Sequence, residues 1–551
     1  MSISLSTRAL RVCVLNMRLK CFAVFTILSL LFGFVSACQP VSSMTENEGH
    51  ATFTTIGSTS RNGDTGVMDN AAGWVHAQTS NRGPQVVIVI LVEFPDLRHS
   101  SPKESIRNSI LRTVSQYYSE VSYNATWVVG EVTDWIMMPS LFRSYGNMGH
   151  AASWDQREKL VRDVVSVADK GVDFRKYMQV VIVVPVGASL VSYSLTQRLI
   201  PTDDGTFLTQ VTVQSEDRAA SVFAHELGHT LGLRDMYDHD LAAKLGSSDD
   251  GAIYMGVWDL MSMALSDWRH FSSYNKITLG WISSDRVRTV SVNKTGTAIV
   301  DPIELPSNNI QTIKVQLGGP RYYLVEVRQK IGFDKTLPDE GVLVTLIDDS
   351  VKGDGFARVV DAKPTTNTLN DATFDIREGK TSIYVDTKLD LAIVLLEKVG
   401  LSYRIHMTAQ RNQETALGTW KTILESNRTI QAAQNAGRVV GLEDAKAALK
   451  QAISNFDEGS YDRAMNLARQ ASALAEKATK PTTTTGTSTV QQTINTRASS
   501  ATQSLITESV AALSLDQNTI MIVSILVVLA LILTYLALTR RRRHSDPMIG
   551  R

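Results

Sequence analysis

From residue 85 to residue 231 the chain alternates long apolar runs with amphipathic stretches. "QVVIVILVEF", 85–94, is apolar almost without a break, the pattern of a strand covered on both faces. Residues 103–120 place Ile106, Ile110, Leu111, Val114 and Tyr117/Tyr118 on one helical face. A second helix is predicted over about 153–169, a second buried strand at 178–186 ("MQVVIVVPV"), and a third helix over about 217–231. Strand, helix, helix, strand, helix predicts an α/β domain.

The periodicity then changes. Between 286 and 410, short β-prone runs such as "TIKVQL", "YYLVEV", "GVLVTLI" and "LAIVLLEKV" alternate with Gly, Pro, Asn and Asp, which predicts an all-β, sandwich-like domain. Over 411–478 the period becomes helical. Ala445, Leu449, Ala452, Ile453 and Phe456 form one stripe, and Tyr461, Ala464, Met465, Ala468, Ala471 and Leu474 form the next, across a turn at 457–460. This is a helical hairpin, with a third helix before it around Trp420. Residues 479–518 begin as a Thr/Ser-rich stalk that cannot bury a core.

Both ends carry membrane signals. Residues 1–37 end in an apolar run, 21–37, behind a basic region, and read as a signal peptide. "VSAC" at 35–38 is also similar to a lipidation site at Cys38. Residues 519–539 are uncharged and long enough to cross about 30 Å of hydrocarbon. The basic tail 540–551 places the C-terminus in the cytoplasm and everything before 519 outside. The expected location is therefore a cell membrane, single-pass, at a prokaryotic surface, with 38–80 as spacer or propeptide and 81–285 as the catalytic domain.

Composition narrows the chemistry. Basic and acidic residues are equal, 55 each. Nine basic residues and one acidic residue lie in 1–38 and 519–551, which leaves 46 basic and 54 acidic between them; this mildly acidic middle argues against a nucleic-acid stripe. Cys13, Cys21 and Cys38 are the only cysteines. Nothing downstream can form a disulfide, a cysteine zinc site, a thiol nucleophile or a thiolate latch. Asn124, Asn293 and Asn427 stand in glycosylation triplets, which are frequent by chance.

The chemistry concentrates in "AHELGHTLGLRDMYDHD", 224–240. On a helix, His225 and His229 project from one face and can reach one zinc ion. Glu226, rotated round the helix, can reach a metal-bound water without ligating, as a general base does. Gly232 can end the helix in a left-handed conformation. Spacing then favours Asp235 as third ligand, in the pattern H-E-x-x-H-x-x-G-x-x-D. Asp238, His239, Asp240 or a glutamate from a later helix are the competitors.

The chain resembles the immune inhibitor A family of zinc metallopeptidases, which is metzincin-like. Beside "HELGHTLGLRD", the matching pieces in order are "VILVEFPD" (89–96), "YYSEVSYNATWVVGEVTDWIMMP" (117–139), "GVWDLMSMA" (256–264), "YNKITLGWI" (274–282), and "YYLVEVRQKIGFD" (322–334) with "GVLVTLIDD" (341–349). The resemblance implies His225, His229 and Asp235 as zinc ligands, Glu226 as base, and Met261 as a structural methionine turn beneath the metal. Arg234 departs from the proline expected there.

The expected activity is that of a membrane-anchored, outward-facing zinc endopeptidase acting on protein or peptide substrates. The rivals are a surface adhesion protein and a zinc amidase of cell-wall material. Calcium is a second candidate ion with no assignable ligands. Tyr237, His270 and Tyr274 are candidates, without further support, for stabilising an oxyanion.

Overall fold

The computed structural model describes residues 80–149, 152–185, 190–237, 254–262, 267–353, 355–366 and 368–481. The signal-peptide region, most of the spacer and stalk, the apolar segment 519–539 and the basic tail lie outside them, as do Asp238, His239 and Asp240. Among the described residues no helix is long and apolar enough to cross a membrane.

The described chain forms two compact units. The first runs to Val287 and takes in Asp301–Thr312 and Gly318–Thr373; the second comprises Arg288–Val300, Ile313–Leu317 and the chain from Phe374 onward. The β-rich stretch 286–410 therefore supplies strands to both.

The first unit is built on a sheet of β1 (Gly83–Glu93), β2 (Thr126–Val132), β3 (Ile136–Met137), β4 (Gln179–Val184), β5 (Tyr193–Thr202) and β6 (Gly205–Ser215). Its order is β2-β1-β4-β6-β5, with β3 also paired to β1. All neighbours are parallel except β5, which runs antiparallel to β6. The apolar run of β1 has a simple cause. Val87, Val89 and Leu91 enter one core, Ile88, Ile90 and Val92 the other, so neither face meets water.

One face carries α1, which comprises Lys103–Arg107, a π-wound turn Asn108–Val114, and Ser115–Val121. The other carries α2 (Trp154–Ala168), whose start is fixed by a reciprocal capping box between Ser153 and Gln156. After β6 the chain enters α3 (Ala220–Thr230), and a short α4 (Ser273–Thr278) follows. An antiparallel ladder of Arg321–Arg328, Gly341–Asp348 and Ala357–Val359 completes the unit.

The second unit holds a four-stranded antiparallel sheet, ordered Ile383–Asp386, Leu391–Val399, Ser402–Ala409 and Gly296–Val300. Ala392, Val394 and Leu396 share a core with the three helices foreseen in the sequence, α5 (Gln413–Asn435), α6 (Leu442–Asp457) and α7 (Tyr461–Lys477). His406 is fully buried here, between the Thr297 hydroxyl at 2.8 Å and the Tyr461 hydroxyl at 2.8 Å. Burial pushes its imidazole down to about 4.

Candidate metal centre

Helix α3 is held on several sides before it presents any chemistry. The Tyr118 hydroxyl of α1 donates to the Ala224 carbonyl at 2.7 Å, and the Thr230 hydroxyl reaches Gln179 of β4 at 2.8 Å. The helix ends in a glycine-closed turn. Gly232, at φ +96°, lets its N–H bond the His229 carbonyl at 2.9 Å while the Leu233 N–H bonds the Gly228 carbonyl at 3.0 Å. The turn brings the Leu233 carbonyl to 3.0 Å from His229 Nδ1, and places Asp235 back over the helix.

The tautomers follow from the partners. His225 Nδ1 lies 2.9 Å from the Leu260 carbonyl, and His229 Nδ1 faces the Leu233 carbonyl. A carbonyl only accepts, so each Nδ1 carries the proton. In the neutral rings, Nε2 is then left with a lone pair. Both Nε2 atoms face one oxygen, Asp235 Oδ1, at 3.2 and 3.3 Å. That oxygen is buried and accepts no hydrogen bond. One ligand atom from each of His225, His229 and Asp235 thus lies within 4.8 Å of the other two. Ligands about 2.0–2.1 Å from a tetrahedral ion stand about 3.3 Å from one another, which the separations match.

Among the described residues this is the one cluster of three or more histidine, cysteine or carboxylate groups able to share an ion. The same groups also act on one another electrostatically. Burial opposes charge on His229, but the Asp235 carboxylate more than offsets it and pushes the imidazole up to about 9. Burial likewise opposes ionisation of Asp235, yet the two histidines hold it well below the usual carboxylate range. Without an ion, the carboxylate and the imidazole thus stabilise each other's charged forms, so a metal would displace a proton from the ring as it binds.

Residues 194–278 match the family model described as immune inhibitor A peptidase M6, catalytic domain. These residues belong to an M6-type metalloendopeptidase domain. No curated protein sequence matches the chain. A solved structure of wild-type OgpA from Akkermansia muciniphila aligns with 63% of this chain and 98% of its own, at 12% identity and a TM-score of 0.24.

In the peptidase domain, Glu226 is buried beside the ligand group. The Ser194 hydroxyl of β5 lies 2.9 Å from its carboxylate. Met261 is fully buried under the helix. A Cβ on Gly228 would stand 2.7 Å from Met261 Sδ, so the glycine between the histidines is what lets the methionine approach. Met261 is pinned at both main-chain groups. Its N–H donates to Asp259 at 2.7 Å, and its carbonyl accepts from Met236 at 2.9 Å. Asp259, itself buried, also accepts from the Ser272 N–H at 2.6 Å and from Asn275.

The support for this turn comes from far along the chain. Arg328 donates to the Trp258 carbonyl at 2.5 Å and pairs with Glu304, Glu326 and Asp334, all buried. The segments around 256–264 and 322–334 therefore serve one structure: the second braces the first. Arg234, where a proline was expected, does similar work. Its guanidinium lies 3.7 Å from the Phe356 ring centroid and donates to the Val351 carbonyl at 2.9 Å.

The three oxyanion candidates have different neighbours. His270 is buried between Glu120 and Lys276, at 2.9 and 3.2 Å. Tyr274 lies 3.4 Å from Arg234. Tyr237 is nearly parallel to the His225 ring, with centroids 6.4 Å apart. Ser194 and Arg234 carry no motif of their own. The signal for Arg234 was its departure from proline; Ser194 had none.

Proposed function

We propose that the protein is a zinc-dependent endopeptidase, with His225, His229 and Asp235 holding the ion and Glu226 acting as general base. The observation that carries this reading is that both Nε2 atoms face Asp235 Oδ1 at 3.2 and 3.3 Å, the separation expected between ligands of one tetrahedral ion. Two neutral imidazoles and one carboxylate suit zinc.

Zinc, when bound, supplies Lewis acidity towards the scissile carbonyl and a reactive water at neutral pH. The chain's own residues do the rest. The Leu260 and Leu233 carbonyls fix the ring tautomers and orient the imidazoles. Met261 fills the space beneath them. Glu226, one residue beyond the first ligand and not itself in the group, takes a proton from the attacking water and delivers it to the leaving amine.

The test uses purified full-length protein in detergent. Casein cleavage is expected to vanish on chelation, to return with zinc, and to fall by at least about 100-fold in Glu226→Gln. Equal cleavage by the two proteins overturns the reading.

The same proposal places the peptidase outside the cell, tethered by residues 519–539. The support is their uncharged length and the arginines that follow. Protease added to intact cells is expected to shed the folded part and leave the tail protected. Protection of the folded part overturns this orientation.

A further inference from the structure

We propose that Ser194 is the positioning residue for the Glu226 carboxylate. The inference rests on reading Glu226 as the base.

Ser194 sits on β5, the antiparallel edge of the sheet, opposite Thr212 of β6. Strand alternation sends its neighbours Tyr193 and Leu195 into the core shared with α2 and leaves Ser194 on the opposite face of the strand, in contact with Glu226 of α3. The Tyr193 hydroxyl donates to the Arg157 carbonyl at 3.0 Å, which ties this part of β5 to α2. The backbone presenting the serine is therefore anchored from the far side of the sheet.

Its hydroxyl lies 2.9 Å from Glu226 Oε2 and 2.9 Å from the Glu226 main-chain carbonyl. One hydroxyl thus spans both ends of one residue. Glutamate has many rotamers, and its carboxylate swings widely unless something holds it. A donor between the carboxylate and its own main chain fixes where the carboxylate points. The ionised carboxylate is the stronger acceptor of the two. Aim matters because general-base catalysis needs hydrogen-bond reach to the proton being moved. Misplacement by about 1 Å can cost about 100-fold in rate.

The experiment compares Ser194→Ala, Ser194→Thr and Ser194→Val in the full-length protein, with a fluorogenic peptide as substrate. Thr keeps the hydroxyl, and Val has the same β-branched shape without it. In Ser194→Ala and Ser194→Val, kcat is expected to fall by about 10–100-fold with KM and zinc content unchanged. Ser194→Thr is expected to recover kcat to within about threefold. Adding Ser194→Ala to Glu226→Gln is expected to change nothing further, because two residues acting as a unit are not additive.

Three outcomes overturn the proposal: full kcat in Ser194→Ala, no difference between Thr and Val, or a loss that multiplies with that of Glu226→Gln. Failure of the underlying reading is separate, since it shows as full activity in Glu226→Gln alone.

Discussion

Gly228→Ala is a sensitive probe of the methionine floor, because two effects of similar size oppose each other. In an ordinary helix interior, replacing glycine by alanine stabilises by about 1 kcal/mol. Here the new Cβ would meet Met261 Sδ at 2.7 Å, with Met261 Cε at 3.5 Å and a Leu233 methyl at 3.6 Å. Favourable carbon contacts begin near about 3.5 Å, so the thioether must move. Met261 is fully buried and pinned through Asp259 and Met236, and has little room to do so. Overpacking of this kind costs about 1–3 kcal/mol.

The expected net effect is a loss of up to about 2 kcal/mol. Met261→Ala alone opens a cavity and costs about 2–5 kcal/mol. Once Met261 is alanine the clash is gone, and Gly228→Ala is expected to stabilise by about 1 kcal/mol. The sign reversal is the diagnostic result. It is measured by urea unfolding of the four proteins at one fixed, saturating zinc concentration, since metal linkage otherwise shifts the midpoints. Stabilisation by Gly228→Ala with Met261 present would refute the packing argument.

Three further outcomes are expected. Arg234→Ala removes the stacking on Phe356 and the bond to Val351, and should weaken zinc about 10-fold in a chelator competition. Arg234→Lys should not restore it, because a point charge does not stack as a planar guanidinium does; unchanged affinity in both would remove Arg234 from the site. Stripping zinc should lower stability by about 4 kcal/mol, relative to protein held at free zinc 1,000 times the Kd; equal melting with and without the ion would speak against a built site. The buried His406 should destabilise the second unit in acid. Its folded value of about 4 lies below the ordinary 6.5, so the unfolded chain binds the extra proton. Stability from this group is therefore intact above about 6.5, falls as pH drops towards about 4, and is flat below. At about 1.4 kcal/mol per pH unit the loss is about 3 kcal/mol, and an unfolding series in which His406→Gln keeps the same slope would contradict it.

What was legible in the sequence was local or periodic. The run of β1 announced its burial because both faces are covered. The helix of residues 220–230 and its closing glycine, Gly232, are written in one short continuous stretch, and the same spacing brought Asp235 to the two histidines. Two of the three helices of the second unit, α6 and α7, showed as alanine-rich stripes, and the third was expected around Trp420. The hairpin of β5 and β6 did not show. Its alternation breaks where Gln197 adopts φ +59° and the register shifts between Thr196 and Leu199, so no period-2 run marks the strand that carries Ser194. The partners of Arg234, Val351 and Phe356, lie more than a hundred residues away, and no spacing rule reaches them. His270, a candidate for the oxyanion on residue type alone, is committed to a buried network by Glu120 and Lys276. The membrane and export signals fall on residues the structure does not describe.

The bracing of the methionine turn by Arg328 has a consequence for synthesis on the ribosome. The motif helix and Met261 are both translated before residue 265, yet Trp258 waits for Arg328, and Arg328 for Asp334. A nascent chain that has emerged only to residue 290 has every proposed ligand and none of these supports. Its turn has the bonds among Met236, Asp259, Met261, Ser272 and Asn275 but lacks the bond from Arg328 to Trp258. The last brace of the methionine turn can therefore close only after dozens of later residues have left the tunnel.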